Sequence, residues 1–300
     1  MSTDAVLREL LVRRLDHWLP AALHRARRAT LALAYAGGDA TGAEEALRVV
    51  AEFADRLRGR RLTVLVVADD GTDLPVRLGA AEAALPADVA VHLVPGGPDR
   101  LPVALKAAGA AGAPLLTVAD GADPDPALLA AAASGRPAEL LLVTAPGRSL
   151  RPALTDAGFP LVTEVELVPD GDGPARLLGY GTVSDHGLEA VKEALWAVDE
   201  YAGVRYRDPA DPQGQLLDIS LDPEPGPLRR ELLAELARSG PRTVTELRRF
   251  ATTSTVYRAA DVNRALTSLL ASGAVTRDPE HGRLGGDVTI SAVPTAGSSA

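Results

Sequence analysis

Apolar residues recur at two spacings along this chain, and the change between them marks where the architecture alternates. Short apolar runs at residues 30–36, 62–68, 89–94, 114–119 and 140–144 predict buried strands. Alanine- and leucine-rich patterns at 43–57, 74–85, 101–110 and 127–133 predict helices between and after them. Such alternation builds a mostly parallel sheet with helices on both faces. A helix over residues 4–28 comes first, with Leu7, Leu10, Leu11, Leu15, Trp18 and Leu19 on its apolar face and a break or kink at Pro20.

The series then changes character. Residues 161–168 and 176–183 read as two strands joined by the turn-forming Pro169-Asp-Gly-Asp-Gly-Pro174, with no helix between them. Seven strands result, at least one of them antiparallel at the edge. A helix at 187–199 follows, carrying Leu188, Val191, Leu195 and Val198 as one stripe. Lys192 lies off that stripe, four residues before Trp196, at a spacing suited to a surface cation-π pair. Proline-rich residues 204–227 read as a linker. Helical patterns at 228–238, 244–250 and 258–272, then strands at 274–277 and 283–290, predict a winged helix-turn-helix over 228–293. The small polar tail, 294–300, is expected to be disordered.

Three hundred residues suffice for two cores. With no cysteine, disulfides, thiolate metal sites and cysteine nucleophiles are excluded. The five histidines show no metal-ligand spacing, so no metal is expected. Ser184-Asp-His186 has hydrolase residues in composition only, because neighbours point apart and no Gly-x-Ser-x-Gly elbow exists. No apolar run is long enough for a bilayer and no signal peptide is evident, so a cytoplasmic protein without membrane contact is expected. The net charge of -9 argues against an overall basic coat, although residues 228–293 hold ten arginines against seven acids.

Two segments carry a resemblance. Leu11-Val-Arg-Arg-Leu-Asp-His-Trp-Leu-Pro20 and Gly187 to Asp199, with Gly203 and Asp208 beyond, resemble the three-Cys-motif partner protein family. Members resemble class I methyltransferases with a C-terminal winged helix. The resemblance implies a seven-stranded Rossmann-like sheet over residues 1–203, S-adenosylmethionine as cofactor, and a partner bearing a three-cysteine motif. The chain departs from the family at the ligand edge. Leu33 stands where the family's loop after the first strand has aspartate, while Tyr35, Ala36 and Gly37 match. Ala68 takes the acidic position after the second strand, with Asp69 and Asp70 following, and Asp120 alone survives of an Asp-Pro-Phe-Gly motif.

Ligands of open α/β sheets bind beyond the carboxyl ends of the strands. Tyr35, Gly37, Gly38, Asp69, Asp70, Gly96 and Asp120 are therefore the candidate cofactor residues, and Asp120 the one candidate for catalysis. An Asn/Asp-Pro-Pro-Tyr/Phe signature of amino-group methylation is absent. Arg258, Asn263, Arg264 and Thr267 on the third C-terminal helix, with Arg277 and Arg283 on the wing, are the candidate DNA or RNA contacts. The leading expectation is a methyltransferase-like scaffold with a degenerate cofactor site. An active methyltransferase acting on nucleic acid and a ligand-sensing transcriptional regulator are the alternatives.

Overall fold

The computed structural model describes residues 2–37, 40–69, 73–198 and 203–293. Five parallel strands build one side of the main sheet: β1 (Arg28–Tyr35), β2 (Arg61–Ala68), β3 (Val89–Pro95), β4 (Leu115–Asp120) and β5 (Ala138–Thr144). β6 (Leu161–Pro169) and β7 (Arg176–Thr182) form the expected hairpin, but β7 inserts between β5 and β6. Since β7 is antiparallel to both, β6 keeps the direction of the first five strands.

The sheet has nine strands rather than seven, in the order β3-β2-β1-β4-β5-β7-β6-β8-β9. The two additions, β8 (Val204–Arg207) and β9 (Leu216–Asp218), come from the stretch expected to be a linker. Val204 and Tyr206 alternate inward on β8 and are buried, so burial overrides the proline-rich composition around them. Pro209 and Pro212 fall in the turn between the two strands, and Pro223, Pro225 and Pro227 follow β9. In the turn Asp211 accepts hydrogen bonds from the backbone N–H of Gln213 (3.0 Å) and Gln215 (3.1 Å).

Helices cover both faces. α1 (Thr3–Arg25), α2 (Thr41–Glu52), α4 (Leu74–Glu82) and α8 (Asp185–Trp196) pack on one side, with the short α3 (Ala54–Leu57) after α2. α5 (Leu101–Ala107), α6 (Pro126–Ala132) and α7 (Arg151–Asp156) pack on the other. α1 runs through Pro20 as one helix, so of the expected break or kink the break does not occur. Trp18, Leu19, Ala22 and Leu23 on either side of the proline are all buried, which holds the last turns in place despite the missing N–H. The chain changes face after β3, so the strand order reverses between β1 and β4 and opens a crevice at their carboxyl ends.

The C-terminal residues form α9 (Gly226–Ser239), α10 (Val244–Ser254) and α11 (Ala259–Ala271), with a small antiparallel sheet ordered β10-β12-β11. Its strands are β10 (Arg242–Thr243), β11 (Val275–Asp278) and β12 (Thr289–Ala292). A Thr-x-x-Glu capping box starts α10: the backbone N–H of Glu246 donates to Thr243 Oγ1 (3.2 Å), and that of Thr243 to Glu246 Oε2 (2.8 Å). Leu232, Leu247 and Leu266 of these three helices, with Tyr257 between α10 and α11, join the buried cluster beneath α1 and α8. One core therefore runs from the main sheet into the C-terminal unit. Residues 294–300 lie outside the described region.

Candidate functional site

A crevice of about 270 Å³ opens at the carboxyl ends of β1 and β4, where the strand order reverses. Leu7 and Leu11 of α1, Val118 of β4, and Leu141 and Val143 of β5 make its apolar walls; Asp4, Arg8, Asp120 and Arg176 line it with charge. Tyr35 ends β1 beside Asp120 in the parallel register, so the sheet itself brings these two together. Gly42 sits in the first turn of α2 under the Tyr35 hydroxyl. A Cβ there would lie 2.9 Å from that oxygen, so the tyrosine can occupy the crevice only over a glycine. Gly37 follows at φ +110°, a conformation that side-chain-bearing residues rarely adopt.

Three of the four charges at this crevice are committed to one another, and Arg8 pairs with Glu45 of α2 at 3.8 Å. Arg176 of β7 binds the Asp120 carboxylate through Nη2 and reaches Asp4 of α1 through Nη1 at 3.2 Å. This Asp120–Arg176–Asp4 chain ties β4, β7 and the start of α1 across the crevice. Of the expected cofactor residues, Tyr35, Gly37 and Asp120 line it. Asp69 is exposed beyond β2, and Gly96, after β3, lies against the side chain of Arg100; neither lines the crevice. Gly38 and Asp70 lie outside the described residues.

Four of the six expected nucleic-acid residues are engaged by other groups of the chain. Arg258 is buried, not exposed on a reading helix. Its guanidinium donates to Asp261 Oδ1 (2.8 Å) and Oδ2 (3.0 Å), to the Leu221 carbonyl (2.8 Å) and to Glu193 of α8 (3.3 Å). Arg264 is held by Asp222 and by the Pro223 carbonyl. Asn263 accepts from Arg248 (3.0 Å), and Arg277 closes its own turn through the carbonyls of Pro279, Gly282 and Arg283. Thr267 and Arg283 remain exposed. The segment before α9 and α8 cover the N-terminal half of α11, which the spacing could not reveal.

Lys192 also departs from expectation. It is fully buried rather than paired on the surface with Trp196, and its ammonium nitrogen donates to the Thr255 carbonyl. Around it the buried backbone between α10 and α11 is matched group by group. Trp196 Nε1 donates to the Val256 carbonyl (3.1 Å), the Val256 N–H donates to Asp208 (3.0 Å), and the Tyr257 N–H donates to Thr255 Oγ1 (3.0 Å). The Trp196 ring stacks on Tyr257 and meets Tyr206 edge-on, with centroids 5.6 and 5.5 Å away. Burial pushes the lysine down to about 7 against the pull of Asp208, and pushes Asp208 up. Burial, helped by Asp208 and Asp211, raises nearby Glu231 to about 8.

A second buried set clamps α1 to the sheet. Glu139 Oε2 of β5 accepts from Arg14 Nε (2.9 Å) and from the Tyr180 hydroxyl (2.7 Å). Burial, then the Glu139 charge, raise the Tyr180 hydroxyl well above its usual value. None of the three was singled out from sequence, because residues 125 and 41 apart from Glu139 meet only through the sheet.

No protein-family model and no curated protein matches this chain. Among the described residues, no group of three or more His, Cys, Asp or Glu side chains converges as a metal would require, and no helix is long and apolar enough to cross a membrane.

Proposed function

We propose that this chain is a diverged relative of the three-Cys-motif partner proteins: a methyltransferase-like sheet joined to a winged helix, which binds rather than transfers methyl groups. The observation that carries this reading is the Asp120–Arg176–Asp4 chain. The one acid positioned by β4 to hold a ribose or accept a proton is spent on an arginine. Leu33, at the position of the family's loop acid, is buried within β1, and Asp69 lies outside the crevice. The residues present do not fit S-adenosylmethionine, and no transfer step is drawn through it.

Apolar walls and a charged rim suit a small, mostly apolar ligand with one charged group. The winged-helix reading is supported by three helices followed by the β11–β12 hairpin. Its helix α11 serves contact with the rest of the chain, since Arg258 and Arg264 are engaged there, and a three-cysteine-motif protein remains the partner that the family implies. Isothermal titration tests the reading. Neither S-adenosylmethionine nor its demethylated product should bind at 100 μM, about a hundredfold above a micromolar dissociation constant. Micromolar binding that is lost in Gly37→Arg would overturn it.

A further inference from the structure

We propose that the amino-terminal edge of the main sheet, opposite the crevice, is a binding surface for the phosphate backbone of nucleic acid. Residues 26–28 and 53–61 contain six arginines and one acid, Asp55, in a chain whose net charge is -9. The fold merges these two runs. Arg28 and Arg61 are register partners at the starts of β1 and β2, and the Arg61 N–H donates to the Arg27 carbonyl (2.8 Å).

The state of these arginines sets them apart. Elsewhere the arginines mostly face carboxylates: Arg14 faces Glu139, Arg176 faces Asp120, Arg207 faces Glu166 and Arg258 faces Asp261. At this edge, among the described residues, Arg58 alone pairs with a carboxylate, that of Asp55 at 3.0 Å, and both members are exposed. Arg28 donates to the carbonyls of Gly109 (3.1 Å) and Ala111 (3.2 Å), and Arg60 to that of Ala26 (3.0 Å). A carbonyl fixes a guanidinium without cancelling its charge, so the remaining N–H groups are held ready for an anion. Arg56 lies over the Phe53 ring at 5.7 Å. His24, Arg56 and Arg60, with Pro20 and Leu23, line a hollow of about 250 Å³ at the same edge.

Several fixed guanidiniums on one edge match a polymer of phosphates better than a single small anion. A lipid surface fits less well. The large apolar side chains exposed among the described residues are Val76, Val103, Val183, Leu221 and Val293, and none belongs to either run.

The test uses the full chain and a labelled 20-base-pair DNA duplex, read by fluorescence anisotropy. Micromolar binding is expected at 50 mM salt. Neutralising about four phosphates gives a logarithmic salt slope near -3.6, so 200 mM salt should weaken binding about a hundredfold. The exposed-site variant Arg27→Glu/Arg58→Glu/Arg61→Glu should lose at least a hundredfold. An equal charge change placed elsewhere, Arg100→Glu/Arg148→Glu/Arg249→Glu, should change affinity less than threefold. The proposal is overturned if the parent does not bind at 50 mM salt, or if both triple variants behave alike. It is also overturned if phosphatidylserine vesicles sediment the protein while the duplex leaves it unbound. These outcomes are independent of the crevice, which the variants do not touch.

Discussion

Lys192→Met isolates a buried amine at the junction of the main sheet and the C-terminal unit. The lysine has no exposed surface and its folded value is about 7, against about 10.4 for an unfolded chain. The sign follows from proton counting. Below pH 7 both states hold the proton. Between pH 7 and about 10.4 the unfolded chain holds it and the folded chain has released it, so folding stability rises with pH at up to about 1.4 kcal/mol per pH unit. From pH 7.5 to 9.5 the parent should therefore gain roughly 2 kcal/mol relative to Lys192→Met. Glu231, at about 8, works in the opposite direction from about pH 4.3 to 8: the folded chain keeps a proton that the unfolded carboxylate has already released, so stability falls as pH rises through that window. Lys192 itself pulls Glu231 down, so that contribution cancels only when parent and variant are compared in a Glu231→Gln background. The assay is urea denaturation of parent and variant in that background at pH 7.5, 8.5 and 9.5. A stability difference that stays constant across the three values would show that Lys192 remains charged against Asp208, and would refute the reasoning.

Two further substitutions probe the packing. Glu139→Gln leaves the Arg14 cation buried without its counter-charge and should cost about 3–5 kcal/mol in urea denaturation, whereas Glu139→Leu with Arg14→Met should cost much less; equal losses would contradict an ionic role for the pair. Gly181→Ala would place a Cβ 2.8 Å from Cγ of Phe159, a ring with no exposed surface, and should destabilise by about 1–3 kcal/mol. Adding Phe159→Leu should recover part of that loss, and a more stable Gly181→Ala would rule out the clash.

The parallel half was legible because β1, β2, β4 and β5 are buried on both faces and read as unbroken apolar runs. α7 went unseen: its six residues bury one apolar side chain, Leu154, which is too little for a period to show. β8 was hidden by the prolines that follow it, although Val204 and Tyr206 keep the alternation of a half-buried strand. At the crevice, ends of strands could be read as neighbours, and Tyr35 and Asp120 are. The arginine that closes the site could not be read, because Arg176 reaches Asp120 only once β7 has inserted beside β5. The same limit explains the arginine edge. Its two runs lie about thirty residues apart, and only the register of β1 on β2 unites them.

The family-like segment at 187–208 meets the structure at the seam rather than at the crevice, which separates two questions that the sequence joined. A Cβ on Gly187 would lie 3.1 Å from the Tyr180 hydroxyl and 3.3 Å from Glu139 Oε1, so this glycine lets α8 settle onto the buried ion pair. Lys192, Trp196 and Asp208 then satisfy the buried backbone of Thr255 and Val256. Losing any one of these partners would strand a buried polar group, at about 1–3 kcal/mol each. The crevice carries no such constraint: Leu33 is an apolar side chain within an apolar strand, and Asp120 is paired with Arg176. A scaffold held together at its seam can therefore change its ligand edge without losing its shape. This is the physical reason that resemblance in residues 187–208 says little about chemistry at Asp120.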